Sequence, residues 1–181
     1  MRRLQGVTLI LLSVLGVSPA AALSRPISGD VRADTLSSGC TTPEQRQFDF
    51  WIGRWVVTDS AGRELGRSEI TRVSGGCAIL EHWEGADGVG GMSLNGYDPE
   101  SGRWRQFWIG EGGLMLRLEG GLRGSSMVLS GRHRGRRGEL MDRITWTPVA
   151  AGGVRQLWEM SADGGATWRQ VFDGLYRVSG S

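Results

Sequence analysis

From residue 53 onward, short runs with period-two patterning are cut by glycine-bearing steps about every ten to thirteen residues. Period two sends successive side chains to opposite faces, which is the signature of a strand and not of a helix. The steps are Ala61-Gly62, Gly75-Gly76, Asp87-Gly88, Ser101-Gly102, Gly112-Gly113, Gly152-Gly153 and Gly164-Gly165. Such pairs supply the positive φ angles that tight hairpins demand. Strands are expected near 53–59, 65–74, 77–85, 90–98, 103–110, 113–120, 125–132, 138–147, 153–161 and 167–178. Short turns at even spacing make sequential hairpins. An open sheet of this size would leave two exposed edges, and closing it removes both. The expected fold is therefore all-β: a single antiparallel meander β-barrel of about ten strands, occupying 43–178 as one domain.

The string FDFWIGRW, Phe48 to Trp55, precedes the first strand. Its bulky rings are suited to seal one end of a barrel, and Gly53 lets the chain bend sharply into the strand. Just before it, Thr42-Pro43-Glu44-Gln45 reads as a short helix start, with Thr42 as N-cap, Pro43 at the first position and Gln45 at the third. Helix signals then vanish.

Residues 1–22 read as a signal peptide. Arg2 and Arg3 form the basic region, Val7 to Val17 is apolar but too short to span a bilayer, and Ala20-Ala21-Ala22 offers the cleavage site. Residues 23–42 are polar and unpatterned and are expected to be a flexible arm. The expected location is periplasmic or secreted, with no integral membrane segment after the leader is removed. Cys40 follows Ser38-Gly39 but lies about twenty residues beyond the apolar stretch, too far for a lipid-attachment box. Two cysteines in an oxidising compartment, Cys40 and Cys77, are expected to form one disulfide.

All 21 basic residues are arginine; loss of Arg2 and Arg3 with the leader leaves 19 against 19 acids. A neutral mature chain gives no reason to invoke nucleic acid or an anionic membrane. The local exception, Arg132, His133, Arg134, Arg136 and Arg137, reads as a solvated turn or as an anion patch.

Alternation puts Trp104, Gln106 and Trp108 on one strand face, with Arg105, Phe107 and Ile109 on the other; later, Gln156 and Trp158 oppose Arg155 and Leu157. The string R-Q-x-W occurs in both strands. Neither face is cleanly apolar, so pattern alone leaves the inward face open. Likewise His82 and Glu84 share a face opposite Glu81 and Trp83.

FDFWIGRW, Gly76-Cys77 with Glu81 and Trp83, Asn95-Gly96-Tyr97-Asp98, WRQFW at 104–108, RITWTP at 143–148, VRQLWE at 154–159 and FDGLY at 172–176 together resemble the DUF1579 family of exported proteins of unknown function. The resemblance covers about residues 40–178 and implies a calycin-like barrel of the lipocalin and nitrobindin type. It implies no reaction. Gly53-Arg54-Trp55 is similar to the Gly-x-Trp of lipocalins, where a late arginine packs over the tryptophan; Arg177 is the matching candidate over Trp55. Ser161 to Trp168 resembles the Asp-box of sialidase propellers, a hairpin device in which Asp163 caps turn amides and Trp168 packs beneath. No propeller repeat accompanies it, so glycosidase activity is not implied.

Candidate chemistry is sparse. No metal site or cofactor is expected: one imidazole and one carboxylate do not define a metal centre. Nitrobindin-like barrels bind haem through a late histidine, and here none follows His133. No nucleophile elbow, Walker loop or zinc-protease motif occurs. Among the polar residues Glu81, Arg105, Gln106, Arg143, Gln156 and Glu159, arginine–glutamate pairs ordinarily form rim salt bridges. The sharper reading turns Trp83, Gln106, Trp108, Gln156 and Trp158 inward as a ligand site: rings line a cavity and amides orient a polar head. The leading expectation is an exported, non-catalytic domain binding a small apolar or amphipathic molecule. The alternatives are a structural or interaction module with a side-chain-filled barrel, a cavity enzyme or isomerase using Glu81, and a haem binder.

Overall fold

The computed structural model describes residues 40–179; the expected leader and most of the arm lie outside the described residues. Ten strands follow in chain order: β1 (Gly53–Thr58), β2 (Glu64–Val73), β3 (Ala78–Gly85), β4 (Gly90–Asp98), β5 (Arg103–Gly110), β6 (Met115–Arg123), β7 (Ser126–Gly135), β8 (Gly138–Val149), β9 (Gly153–Ser161) and β10 (Arg169–Val178). Every strand pairs antiparallel with its chain neighbours, and β10 returns to β1 through Trp55↔Val178 to Thr58↔Leu175, closing the barrel. The expected meander barrel is what forms.

Several boundaries differ from expectation by one to three residues, β7 running on to Gly135 and β8 to Val149; two of the differences have clear local reasons. β6 runs on through Gly120 and Gly121 to Arg123, and the chain turns at Gly124 instead. Gly120 is a packing glycine: a Cβ there would lie 2.1 Å from the carbonyl oxygen of Val128 on β7. β10 starts at Arg169 because Thr167 and Trp168 belong to the preceding turn.

The short N-terminal helix is two separate 3-10 turns, Glu44–Arg46 and Asp49–Trp51. The capping box read from sequence is present: Thr42 N–H donates to Gln45 Oε1 at 3.0 Å, and Gln45 N–H to Thr42 Oγ1 at 3.4 Å. The segment cannot lengthen into a regular helix, because Phe48 and Trp51 are drawn wholly into the barrel end. Phe48 stacks on Trp51 at 4.9 Å and meets Trp104 and Trp146 edge-on at 5.6 and 5.1 Å. The plug is also tied by polar contacts. Trp55 Nε1 donates to the Trp51 carbonyl at 3.0 Å and Trp104 Nε1 to the Glu44 carbonyl at 3.2 Å, while Arg72 pairs with Asp49. Gly53 makes the bend into β1 with φ +154°; a Cβ there would stand 3.1 Å from the Trp55 indole.

Cys40 and Cys77 form the disulfide, joining the approach to the plug to the start of β3. Outward faces carry ion pairs such as Arg54–Glu69, Arg103–Glu119 and Arg155–Asp173. Among the described residues no helix is long and apolar enough to cross a membrane.

Candidate functional site

The plug fills one end of the barrel. Toward the other end the interior opens into a cavity of about 320 Å³. Trp146 and Tyr176 separate the two: their rings meet Trp51 in the plug and also line the cavity. The walls above them are Trp83, Trp108, Trp158, Phe172, Leu116 and Ile144, and the β3–β4 hairpin brings Asp87 and Val89 to the mouth. A larger hollow of about 860 Å³ lies on the outer wall beside Leu94, Arg105, Phe107 and Arg117. Those are outward side chains of neighbouring strands, so it is a surface groove and not an enclosed site.

The cavity floor is polar and its hydrogen bonds have a direction. Asn95 Nδ2 donates to the Ile79 carbonyl at 3.2 Å, which fixes the amide and turns Asn95 Oδ1 toward Gln106. Gln106 Nε2 donates to that oxygen at 2.8 Å. Asn95 Nδ2 also reaches Ser93 Oγ at 3.0 Å, so the Ser93 hydroxyl proton is left for Glu81 Oε2 at 2.8 Å. Ser68 Oγ stands 3.2 Å from Glu81 Oε1. The chain of donors thus ends on a carboxylate. Across the floor, Gln156 Oε1 accepts from Trp146 Nε1 at 3.0 Å and from the Tyr176 hydroxyl at 2.6 Å.

Glu81 is 4% exposed, and no salt bridge involves it among the described residues. Burial raises its carboxyl from 4.5 to about 7, against the opposing pull of the Ser93 and Ser68 hydroxyls. The titratable neighbour is Tyr176, held well above its ordinary value by burial and by the Glu81 charge. Between 4.5 and about 7 the folded chain keeps the Glu81 proton while the unfolded chain releases it. Stability therefore falls as pH rises through that window, by about 3 kcal/mol in all, and levels off above it. Urea titrations from pH 4.5 to 8 are expected to show this decline in the wild type and to lose it in Glu81→Gln; parallel profiles would refute a buried, unpaired Glu81.

A second polar unit lies on β7–β9. Asp142 is fully buried; one carboxylate oxygen bonds His133 Nδ1 and the other accepts from Trp158 Nε1 at 2.9 Å. It fixes the Trp158 indole in the cavity wall. The Arg132–Arg137 segment is thus not uniformly solvated, because His133 turns inward while Arg132 and Arg134 stay exposed.

The structure brings Trp83, Gln106, Trp108, Gln156 and Trp158 to one cavity. Asp163 accepts from Thr167 N–H at 2.9 Å, from the Thr167 hydroxyl at 2.6 Å and from Ser161 Oγ at 2.7 Å, and these bonds, led by the Thr167 hydroxyl, hold its carboxyl down to about 2. Trp168 Nε1 donates to the Gly165 carbonyl at 3.0 Å. Arg177 requires correction. Tyr176 is inward, so the next residue in β10 faces out; Arg177 is exposed opposite Val56, and Trp55 meets the Tyr176 ring at 6.3 Å instead. A guanidinium does cap an indole elsewhere: Arg143, held by Glu159 at 2.9 Å, lies 4.1 Å over Trp168. Sequence reasoning missed Asp142, Trp146 and Tyr176 as elements of the interior. Alternation within RITWTP and FDGLY would have placed Trp146 and Tyr176, whereas nothing local marks Asp142.

Among the described residues no group of three or more His, Cys, Asp and Glu is placed to hold a metal ion. No family model matches the chain, and no curated protein matches it in sequence.

Proposed function

We propose that this chain is an exported, non-catalytic calycin-like barrel, a divergent relative of the DUF1579 family, that holds one small amphipathic molecule in its interior. The observation that carries the reading is the asymmetry of the barrel: an aromatic plug seals one end, while the other encloses about 320 Å³ between indole walls and a hydrogen-bonded floor. That volume lies at the small end of the range typical of ligand pockets. An apolar body fits between Trp83, Trp108, Trp158 and Phe172, and a polar head meets Glu81, Gln106 and Gln156. The ordered family motifs support the kinship, and the leader sequence together with the disulfide supports export.

Native mass spectrometry of protein purified from the exported fraction of its host is expected to reveal an added mass that is lost on denaturation. Trp108→Ala and Trp158→Ala should each weaken that ligand at least tenfold, about 1.4 kcal/mol or more, with Arg134→Ala near neutral. Equal affinity in all three variants would overturn the cavity assignment, and a bare mass would favour a structural or interaction module. Glu81, with its carboxyl near 7 and its place in the floor, favours one further reading, general acid–base catalysis in the same cavity. Deuterium uptake from D₂O into the carbon frame of the released ligand, present in wild type and absent in Glu81→Gln, would replace binding by isomerisation.

A further inference from the structure

Resting on the cavity reading above, we infer that the molecule held there is a cation: a primary or substituted ammonium on a small apolar body, with Glu81 as its counter-ion. Three independent features of the cavity point the same way.

The first is charge. The ionisable carboxylates lining the cavity are Glu81 in the floor and Asp87 at the mouth, and no arginine or histidine is among the lining residues. A carboxylate taken out of water without a cation is costly, and a cation seated beside it offsets part of that cost.

The second is the direction of the floor hydrogen bonds. Ser93 gives Glu81 Oε2 one hydrogen bond, and the single proton of Ser68 is shared between Glu81 Oε1 and the His82 carbonyl, which leaves further lone pairs on both carboxylate oxygens. Gln106 Nε2 donates to Asn95 Oδ1 at 2.8 Å and to Ser93 Oγ at 3.5 Å, so its free group is the acceptor Oε1. Carboxylate lone pairs and an amide oxygen at the same floor complement a donor-only head, which describes an ammonium. Among the described residues the floor's one free donor is Gln156 Nε2, since Gln156 Oε1 is taken by Trp146 and Tyr176; a carboxylate or phosphate ligand would meet that amide but also the Glu81 carboxylate and the Gln106 oxygen.

The third is the wall. Trp83, Trp108 and Trp158, with Phe172, surround the volume over that floor, and Trp146 lies at its base. Indole faces attract a desolvated cation, and aromatic cages of this kind are the usual means of holding ammonium groups. A filled core would be served equally well by leucine or valine, with no carboxylate beneath it.

The test is a charge series on one frame. Phenethylamine, 2-phenylethanol and phenylacetate are titrated into the full mature chain at pH 8 by calorimetry and by tryptophan fluorescence. The expected order is amine over alcohol by at least tenfold, and alcohol over acid. In Glu81→Gln the advantage of the amine over the alcohol should shrink to the few-fold that the indole faces alone supply. Lowering the pH from 8 to 6 should weaken the amine as Glu81 takes up its proton and leave the alcohol unchanged; the other groups facing Glu81 are Ser68, Ser93, Gln106 and Tyr176, with Asp87 at the mouth. Binding of alcohol and amine with equal affinity, or preference for the acid, overturns the ammonium assignment while leaving the cavity reading intact. Binding of none of the three at millimolar concentration overturns both. Because the wild-type preference is read without any substitution, the result does not depend on the folding of Glu81→Gln.

Discussion

Trp51→Ala is expected to lower the stability of the barrel by about 3–5 kcal/mol, the range for deleting a fully buried large aromatic. Trp51 is 0% exposed and its ring contacts Phe48, Trp146 and Tyr176. The loss extends beyond area. The Trp51 carbonyl receives the Trp55 indole N–H, so any shift of the 3-10 turn also strands a buried donor. Because Trp146 and Tyr176 both touch the plug and line the cavity, the void left by Trp51 lies directly beneath the ligand floor. Urea unfolding followed by fluorescence and circular dichroism measures the effect. Trp168→Ala, on the half-exposed β9–β10 turn, is the comparison and should cost about 1 kcal/mol. Equal losses in the two variants would mean that the FDFWIGRW segment decorates the barrel end without closing it.

Removing the disulfide is the second large effect. Cys40 and Cys77 are separated by 37 residues. The chain-entropy relation for a loop of that length gives about 4 kcal/mol of stabilisation through the unfolded state. The closed loop holds the plug, β1 and β2, so the bond also limits how far the plug can leave the barrel end while the chain is unfolded. Cys40→Ala/Cys77→Ala is expected to lower Tm by about 10–15 °C, with the far-ultraviolet spectrum at 20 °C unchanged. Adding reductant to the wild type should reproduce the shift, and adding it to the double variant should do nothing. A shift under about 3 °C in both experiments would show that the unfolded chain is already compact around the plug.

Both expectations rest on parts of the molecule that were readable in the chain before any fold was known. The Phe48–Trp55 string reads as a plug because rings without alternation, followed by a bending glycine, have no place along a strand. The disulfide follows from there being two cysteines. Glu81 was legible as a residue of interest by its place in a strand beside Trp83. Its isolation was not, because the expected fate of a glutamate in a chain of 21 arginines is a rim ion pair. Arg105, Arg143 and Glu159 met that expectation: Arg105 pairs with Asp98 and Arg143 with Glu159. Glu81 escaped it because β2 and β4 present Ser68 and Ser93 to it, and neither carries a positive charge.

The sequence by itself determined the number and order of strands, the antiparallel connections, the sealed end and the covalent link. Period-two patterning, turn glycines and cysteine count are local or countable properties, and a closed meander is the arrangement of sequential hairpins that leaves no edge. Tertiary structure alone decided which face of each strand looked inward. On β5 one face offered Trp104, Gln106 and Trp108 and the other Arg105, Phe107 and Ile109, so hydrophobicity did not choose; the plug did, by packing Phe48 against Trp104. Closure of β1 on β10 likewise set Tyr176, not Arg177, beside Trp55, and the β7–β8–β9 register joined His133, Asp142 and Trp158. These pairings link residues brought together by register and closure, and no single strand carries the information that fixes them.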